Sequence, residues 1–204
     1  MKPYVLTVIV IAVVVIGYIF FFATTSTVTN YPSDGTAIVA FGDSLVEGVG
    51  ASSGSDFVSL LSKQLGKPIV NLGVSGDTTA DALLRLDQVI AQDPKVVMVL
   101  LGGNDYLQQV PKAETFANLN QIITTIHESG AVVMLLGIRG GLLRDEYQGD
   151  YQDLAQSLGT AYVPNVLDGL FGNSALMSDA IHPNDDGYQV IADKVEPVLL
   201  DLVQ

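Results

Sequence analysis

The sequence predicts an α/β three-layer sandwich built on a parallel sheet and preceded by one N-terminal transmembrane helix. Three observations carry this expectation. Twenty uncharged, almost wholly apolar residues run from Tyr4 to Ala23. From Thr36 onward, short apolar runs alternate with longer mixed stretches, the rhythm of a chain that passes between strand and helix. Several of the short runs are continuously apolar, as strands covered on both faces must be.

The first element is the apolar run. At about 1.5 Å rise per residue it spans about 30 Å, the thickness of a bilayer core. The α-amino group and Lys2 precede it, and no Lys or Arg follows until Lys63. That bias places the N-terminus in the cytoplasm and the remainder of the chain outside. A cleaved signal peptide would have a shorter apolar region and a small-residue cleavage site, and Ala23-Thr24-Thr25 is a poor match. The expectation is therefore an uncleaved anchor over 1–23. The alternative is a protein secreted or released to the periplasm after cleavage. A polar tether over 24–35 follows, rich in Thr and Ser, with an r.m.s. reach of about 15–20 Å for ten residues. One domain over 36–204 would then hover close to the membrane surface.

Within that domain the strand candidates are Ala37–Phe41, Pro68–Asn71, Val96–Leu101, Ala131–Gly137 and Ala161–Val163. Helices fill the intervals. Ser55–Leu65 carries Phe57, Val58, Leu60, Leu61 and Leu65 and stops at Gly66. Thr79–Ala91 carries Ala82, Leu83, Leu86, Val89 and Ile90 on one face. Ala113–Ser129 carries Phe116, Leu119, Ile122, Ile123 and Ile126 and stops at Gly130. Gln148–Leu158 and a closing helix, Asp185–Val203, complete the set, with Pro197 expected to bend or break the last.

Composition removes several function classes. The net charge is −13 and no basic cluster is present, so phosphate neutralisation, and with it nucleic-acid binding, is excluded. The chain has no cysteine, which excludes disulfides, thiolate metal sites and a cysteine nucleophile. Two histidines far apart make no metal site. Gly48-Val49-Gly50 lacks the Lys-Ser/Thr of a phosphate loop.

What remains is hydrolytic. Phe41-Gly42-Asp43-Ser44-Leu45 ends the first strand in a turn that presents a hydroxyl. A serine hydroxyl is weak at its free pKa and needs a neighbouring base. His127 lies near the C-terminus of a helix, where a positive charge suits the dipole, and reads as structural or surface. His182 is then the base, with Pro183 biasing it to an extended, projecting conformation. Asp179, Asp185 and Asp186 all lie close enough to orient it, Asp185 also being placed to cap the closing helix. Two further loops follow strands: Leu72-Gly73-Val74-Ser75-Gly76-Asp77 and Gly102-Gly103-Asn104-Asp105. Sites in open α/β sheets gather at the carboxyl ends of strands, where every one of these loops falls.

These four blocks, in this order, resemble the SGNH or GDSL hydrolase superfamily. The phrases Phe-Gly-Asp-Ser-Leu, Val-Ser-Gly-Asp-Thr-Thr, Leu-Gly-Gly-Asn-Asp and Ile-His-Pro-Asn are most similar to its bacterial thioesterase I, or lysophospholipase L1, branch. The resemblance covers Ala37 to the C-terminus. It implies a flavodoxin-like five-stranded sheet and a catalytic triad of Ser44, Asp179 and His182, since the family pattern Asp-x-x-His selects Asp179. It implies an oxyanion hole formed by the N–H groups of Ser44 and Gly73 and the side-chain amide of Asn104. It gives Asp43 the role of bracing the turn, and it implies no cofactor or metal. Val46 stands where an α/β-hydrolase elbow has its second glycine, so a flatter turn and a less deeply buried site are expected.

The function expected is hydrolysis of acyl esters through an acyl-enzyme by a membrane-held, extracytoplasmic monomer. Lysophospholipids and aryl or short and medium acyl esters are the substrates that the resemblance and the location imply, with thioesters within the family's range. A carbohydrate O-acetylesterase with the same triad is the second enzyme reading, and a non-catalytic binding domain the third. An acyl chain needs an apolar groove, for which Leu142, Leu143, Leu167, Leu170 and Phe171 are the candidates.

Overall fold

The computed structural model describes residues 28–139 and 147–204. The predicted transmembrane helix, and Leu142 and Leu143, lie outside those residues. No helix among the described residues is long and apolar enough to cross a membrane.

Five strands form one parallel sheet. They are β1 (Ala37–Gly42), β2 (Ile69–Gly73), β3 (Pro94–Leu100), β4 (Val132–Leu136) and β5 (Ala161–Val163). Their spatial order is β2-β1-β3-β4-β5, the flavodoxin-like order. Register matters to the site. Gly42 is level with Gly73 on one side and with Leu100 on the other. The loops after β1, β2 and β3 therefore leave the sheet at the same height.

The helices are α1 (Ser44–Glu47), α2 (Phe57–Leu65), α3 (Thr79–Leu83), α4 (Asp87–Ile90), α5 (Gly103–Leu107), α6 (Lys112–Glu128), α7 (Gln148–Leu158) and α8 (Asp185–Val203). They pack as two sets. The α2 and α8 pair meets through a stacked Phe57–Tyr188 contact at 6.5 Å. The α6 and α7 pair meets through Phe116 and Tyr151 at 5.0 Å, edge to face. The three central strands are fully buried between the sets, apart from the first residue of β1 and Lys95. At about 1.5–3 kcal/mol for each large apolar side chain removed from water, this core is the main stabilising term.

Two helix expectations are corrected. The helix predicted over Thr79–Ala91 is two helices. Leu84, Arg85 and Leu86 each donate to the carbonyl three residues back, which tightens the chain and turns Arg85 in toward the strand ends. The break predicted at Pro197 does not occur. Val195, Leu199, Leu202 and Val203 are buried on either side of it, and their packing carries α8 through the missing N–H.

The tether is also shorter than its composition suggests. The Thr29 N–H donates to Gly159 O at 2.8 Å, and its hydroxyl to Leu158 O at 3.0 Å. Asn30 Nδ2 bridges His127 O and Ala131 O at 2.7 and 3.0 Å. The Tyr31 hydroxyl reaches Asp201 O and the Ser33 hydroxyl Gly130 O. Residues 29–33 are thus strapped across the amino edge of the sheet, beneath β5 and β4. Thr and Ser composition signals a loose linker, but side-chain donors meeting the orphan carbonyls of helix ends make a fixed strap instead.

Candidate active site

The nucleophile's position begins with a glycine. A Cβ on Gly42 would lie 2.3 Å from Leu100 O and 2.5 Å from the Val46 side chain, so only glycine lets β1 turn directly into α1. Asp43 caps that helix: its Oδ1 accepts the Leu45 N–H at 3.0 Å, as an N-cap carboxylate should. Ser44 is then the first helical residue. The helix lasts one turn and ends at Gly48 in the left-handed region. Ser44 is only 8% exposed, so the nucleophile is buried, although the elbow lacks its second glycine.

The base comes from the other end of the chain. His182 Nε2 stands 3.1 Å from Ser44 Oγ, and its Nδ1 is 2.7 Å from Asp179 Oδ2. Asp179 also accepts the N–H groups of Ile181 and His182 at 2.8 and 2.7 Å. One carboxylate thereby shapes the loop and orients the ring. The hydrogen bond from His182, with those two backbone donors, lowers the Asp179 pKa to about 2. It stays ionised through the working range and stabilises an imidazolium. The loop is closed by Ser178, whose N–H and hydroxyl both donate to His182 O. Gly50 makes room for it, since a Cβ there would stand 2.2 Å from Ser178 Oγ.

The competing carboxylates are placed elsewhere. Asp185 accepts the Ser52 N–H at 2.6 Å. The cap of α8 is Asn184, which takes the Gly187 N–H, not Asp185. Asp179→Asn is expected to lower kcat about 100-fold, and Asp186→Asn less than about twofold, in a p-nitrophenyl ester assay. The loss falls short of the about 10⁴-fold known for a buried triad aspartate because the Asp179 side chain is 53% exposed and water takes over part of its role.

The oxyanion side needs a correction. The Gly73 N–H donates to Asn71 Oδ1 at 2.9 Å, and a Cβ on it would stand 2.1 Å from the backbone nitrogen of Glu47 in α1. Gly73 is glycine because α1 crosses over it, and its donor is already engaged. In the same loop, the Ser75 N–H binds Glu47 Oε2 and the Asp77 N–H binds Val74 O. Gly76, at φ 89° with open space around it, makes neither bond. Asn104, the second residue of α5, donates Nδ2 to Asp77 O at 2.9 Å and lines the cavity beside Ser44. That bond anchors the loop to the side chain that borders the cavity. The Ser44 backbone and the Asn104 amide border the cavity, and in the 74–77 loop the Gly76 N–H is the one left unengaged, which makes it, in place of Gly73, the candidate third donor.

Arg85 was not foreseen. It ion-pairs with Asp77, donates to Leu72 O at 2.9 Å and to Gly42 O at 2.8 Å, and lies over the Phe41 ring. It locks the ends of β1 and β2 and the 74–77 loop together. An arginine between two leucines in an amphipathic stretch gives no sign of this in the sequence.

Charge is tuned by burial. Asp43 is 3% exposed, and desolvation pushes its carboxyl up to about 7, against the Leu45 N–H and the His182 charge, which pull it down. The folded pKa lies above the unfolded one. This group's contribution to stability is therefore full below about pH 4 and is lost as pH rises through about 7. Asp43→Asn keeps the acceptor for Leu45 without the charge. Its Tm is expected to gain on wild type between pH 4.5 and pH 8 in paired melts. His127 shows the opposite sign: burial lowers its pKa and its Nε2 has no partner. It is held toward the neutral form, which weakens the charge expected at that helix end.

A cavity of about 300 Å³ opens beside Ser44 and His182. Leu107, Ile138, Leu167, Phe171 and Ile181 supply its apolar wall. A serine–histidine–aspartate relay at the carboxyl ends of a parallel sheet, with amide donors beside it, defines an α/β serine hydrolase.

Comparison with known proteins places it more narrowly. Residues 40–190 match the model of the GDSL-like lipase/acylhydrolase family. The chain is 32% identical to esterase TesA of Pseudomonas aeruginosa, over 81% of its own length and 89% of that protein. It is 31% identical to thioesterase 1/protease 1/lysophospholipase L1 of Escherichia coli, over 81% and 84%. The crystal structure of TesA superposes with a TM-score of 0.73 over 82% of this chain and 100% of that one. The chain belongs to the GDSL-like lipase/acylhydrolase family, and it is an ester-hydrolysing enzyme.

Proposed function

We propose that this enzyme cleaves medium-chain acyl esters, lysophospholipids and aryl esters among them, with the acyl chain in the apolar cavity beside Ser44. Ser44 attacks the carbonyl while His182 takes the proton, and the oxyanion forms against Asn104 and the N–H groups of Ser44 and Gly76. His182 returns the proton to the leaving alcohol. It then activates water to release the acid. The observation that carries the reading is the wall of Leu107, Ile138, Leu167, Phe171 and Ile181 next to the nucleophile. At about 300 Å³ the cavity is at the lower end of ligand pockets and larger than an acetyl group requires. The relatives named esterase and lysophospholipase support the same class of substrate.

Residues 4–23 fit an uncleaved anchor that holds the domain outside the cytoplasm, where acyl-CoA is scarce and acyl esters are the accessible substrates. A p-nitrophenyl ester series from acetate to myristate tests the cavity. A buried methylene contributes about 0.8 kcal/mol, so kcat/KM should rise about fourfold per methylene until the cavity is full. A series that peaks at acetate would favour the carbohydrate O-acetylesterase reading.

A further inference from the structure

The geometry points to a fixed orientation on the membrane. We infer that the anchor leaves the domain at the amino edge of the sheet, so the catalytic rim faces away from the membrane that holds the protein. Its ester substrates then arrive from the aqueous phase, not from the anchoring bilayer. The inference rests on reading residues 4–23 as an anchor, and it replaces the expectation that a membrane-held site lies against lipid.

The strap decides this. Its bonds run to Leu158 and Gly159, just before β5, and to His127, Gly130 and Ala131, just before β4. The Thr36 N–H meets Asp93 O, just before β3. Tyr31 holds the last turns of α8. All of these are the amino edge of a sheet whose strands are all parallel. Ser44, Asn104 and His182 follow the opposite ends of β1, β3 and β5. The site and the strap are thus separated by the length of the sheet, about 20 Å for the six residues of β1.

The intervening stretch of sequence is too short to compensate. Only residues 24–28 lie between Ala23, the end of the apolar run, and Thr29, where the first strap bond forms. In any conformation five residues span at most about 20 Å, no more than the length of the sheet. A connection of that length cannot both run up the side of the domain and let the rim swing down to the bilayer. Nor does the strapped face adhere to anionic lipid, because Asp34 and Asp93 are on it. The domain stands off, held by its chain and pointing outward.

The full chain, reconstituted by its N-terminal segment into phosphatidylcholine vesicles, tests this. Three readouts are compared: flotation with the vesicles, hydrolysis of water-soluble p-nitrophenyl butyrate, and hydrolysis of a fluorogenic acyl ester fixed to a diacyl lipid in the same bilayer. A second variant carries thirty Gly and Ser residues inserted between Thr27 and Val28, which adds an r.m.s. reach of about 30 Å. The expected result is flotation of both proteins and equal rates on the soluble ester. The inserted chain should hydrolyse the bilayer-fixed ester at least about tenfold faster, because simultaneous engagement becomes possible. Equal rates on the fixed ester, with both proteins floating, would overturn the orientation. Failure of the native chain to float would overturn the anchor reading itself, and the orientation with it.

Discussion

Replacing Ser44 by alanine is expected to lower kcat for a p-nitrophenyl ester by about 10⁵–10⁶-fold, with little change in Tm. The loss is this large because the hydroxyl is the atom that forms the covalent intermediate. His182, 3.1 Å from it, has no other side-chain nucleophile within the triad to activate, and removing one member of such a unit costs about as much as removing all of it. The fold should tolerate the change. The Ser44 backbone carbonyl, which accepts the Gly48 and Val49 N–H groups, is untouched, and the Asp43 cap on Leu45 remains. His182→Ala should produce a loss of the same order. The double variant should be no worse than either single one, since the two act as a pair. Residual activity would come from the oxyanion donors and from binding.

Asn104→Ala is expected to lower kcat by about 100- to 1,000-fold while KM changes less than about threefold. A preorganised donor aimed at developing charge is worth about 3–4 kcal/mol at the transition state and much less in the ground state. The anchor to Asp77 O at 2.9 Å is what preorganises this amide, so the loss should fall on turnover. A structural role alone would instead lower Tm and raise KM together. Gly73→Ala is a useful contrast. Its N–H already serves Asn71 and its Cβ would meet the backbone of α1, so the damage should appear as lost stability. A matched pair of Tm and kcat measurements separates the two cases.

Much of this architecture was legible in the residues. Val96–Leu100 and Val132–Leu136 are continuous apolar runs of the kind that a covered parallel sheet accommodates, and all five strands overlap the strand candidates of the sequence, although β2 carries the exposed Asn71. The histidine was legible because His127, the other one, falls within a helix, but spacing alone left Asp179, Asp185 and Asp186 open, and only the family pattern Asp-x-x-His selected the first. What was not legible depended on tertiary contact. Thr79–Ala91 keeps a helical period through Leu83 and Leu86, yet Arg85 reaches Gly42 O and Leu72 O and breaks the run. Gly73 and Gly76 are indistinguishable by composition. Only the Asn71 side chain and the crossing of α1 show that the first is engaged and the second is open. Asn30 and Ser33 read as linker because their partners lie about a hundred residues away. Asp185 read as a cap because the sequence does not show that Ser52 folds back to it.

The reading depends most on a covalent intermediate at Ser44. Treating the enzyme with one equivalent of an alkyl fluorophosphonate, followed by peptide mass mapping, tests it most directly. Inactivation should track addition of a single phosphonyl group to the peptide that contains Ser44, and neither Ser44→Ala nor His182→Ala should take up the label. Complete inactivation with Ser44 unmodified, or labelling that persists in Ser44→Ala, would contradict the mechanism.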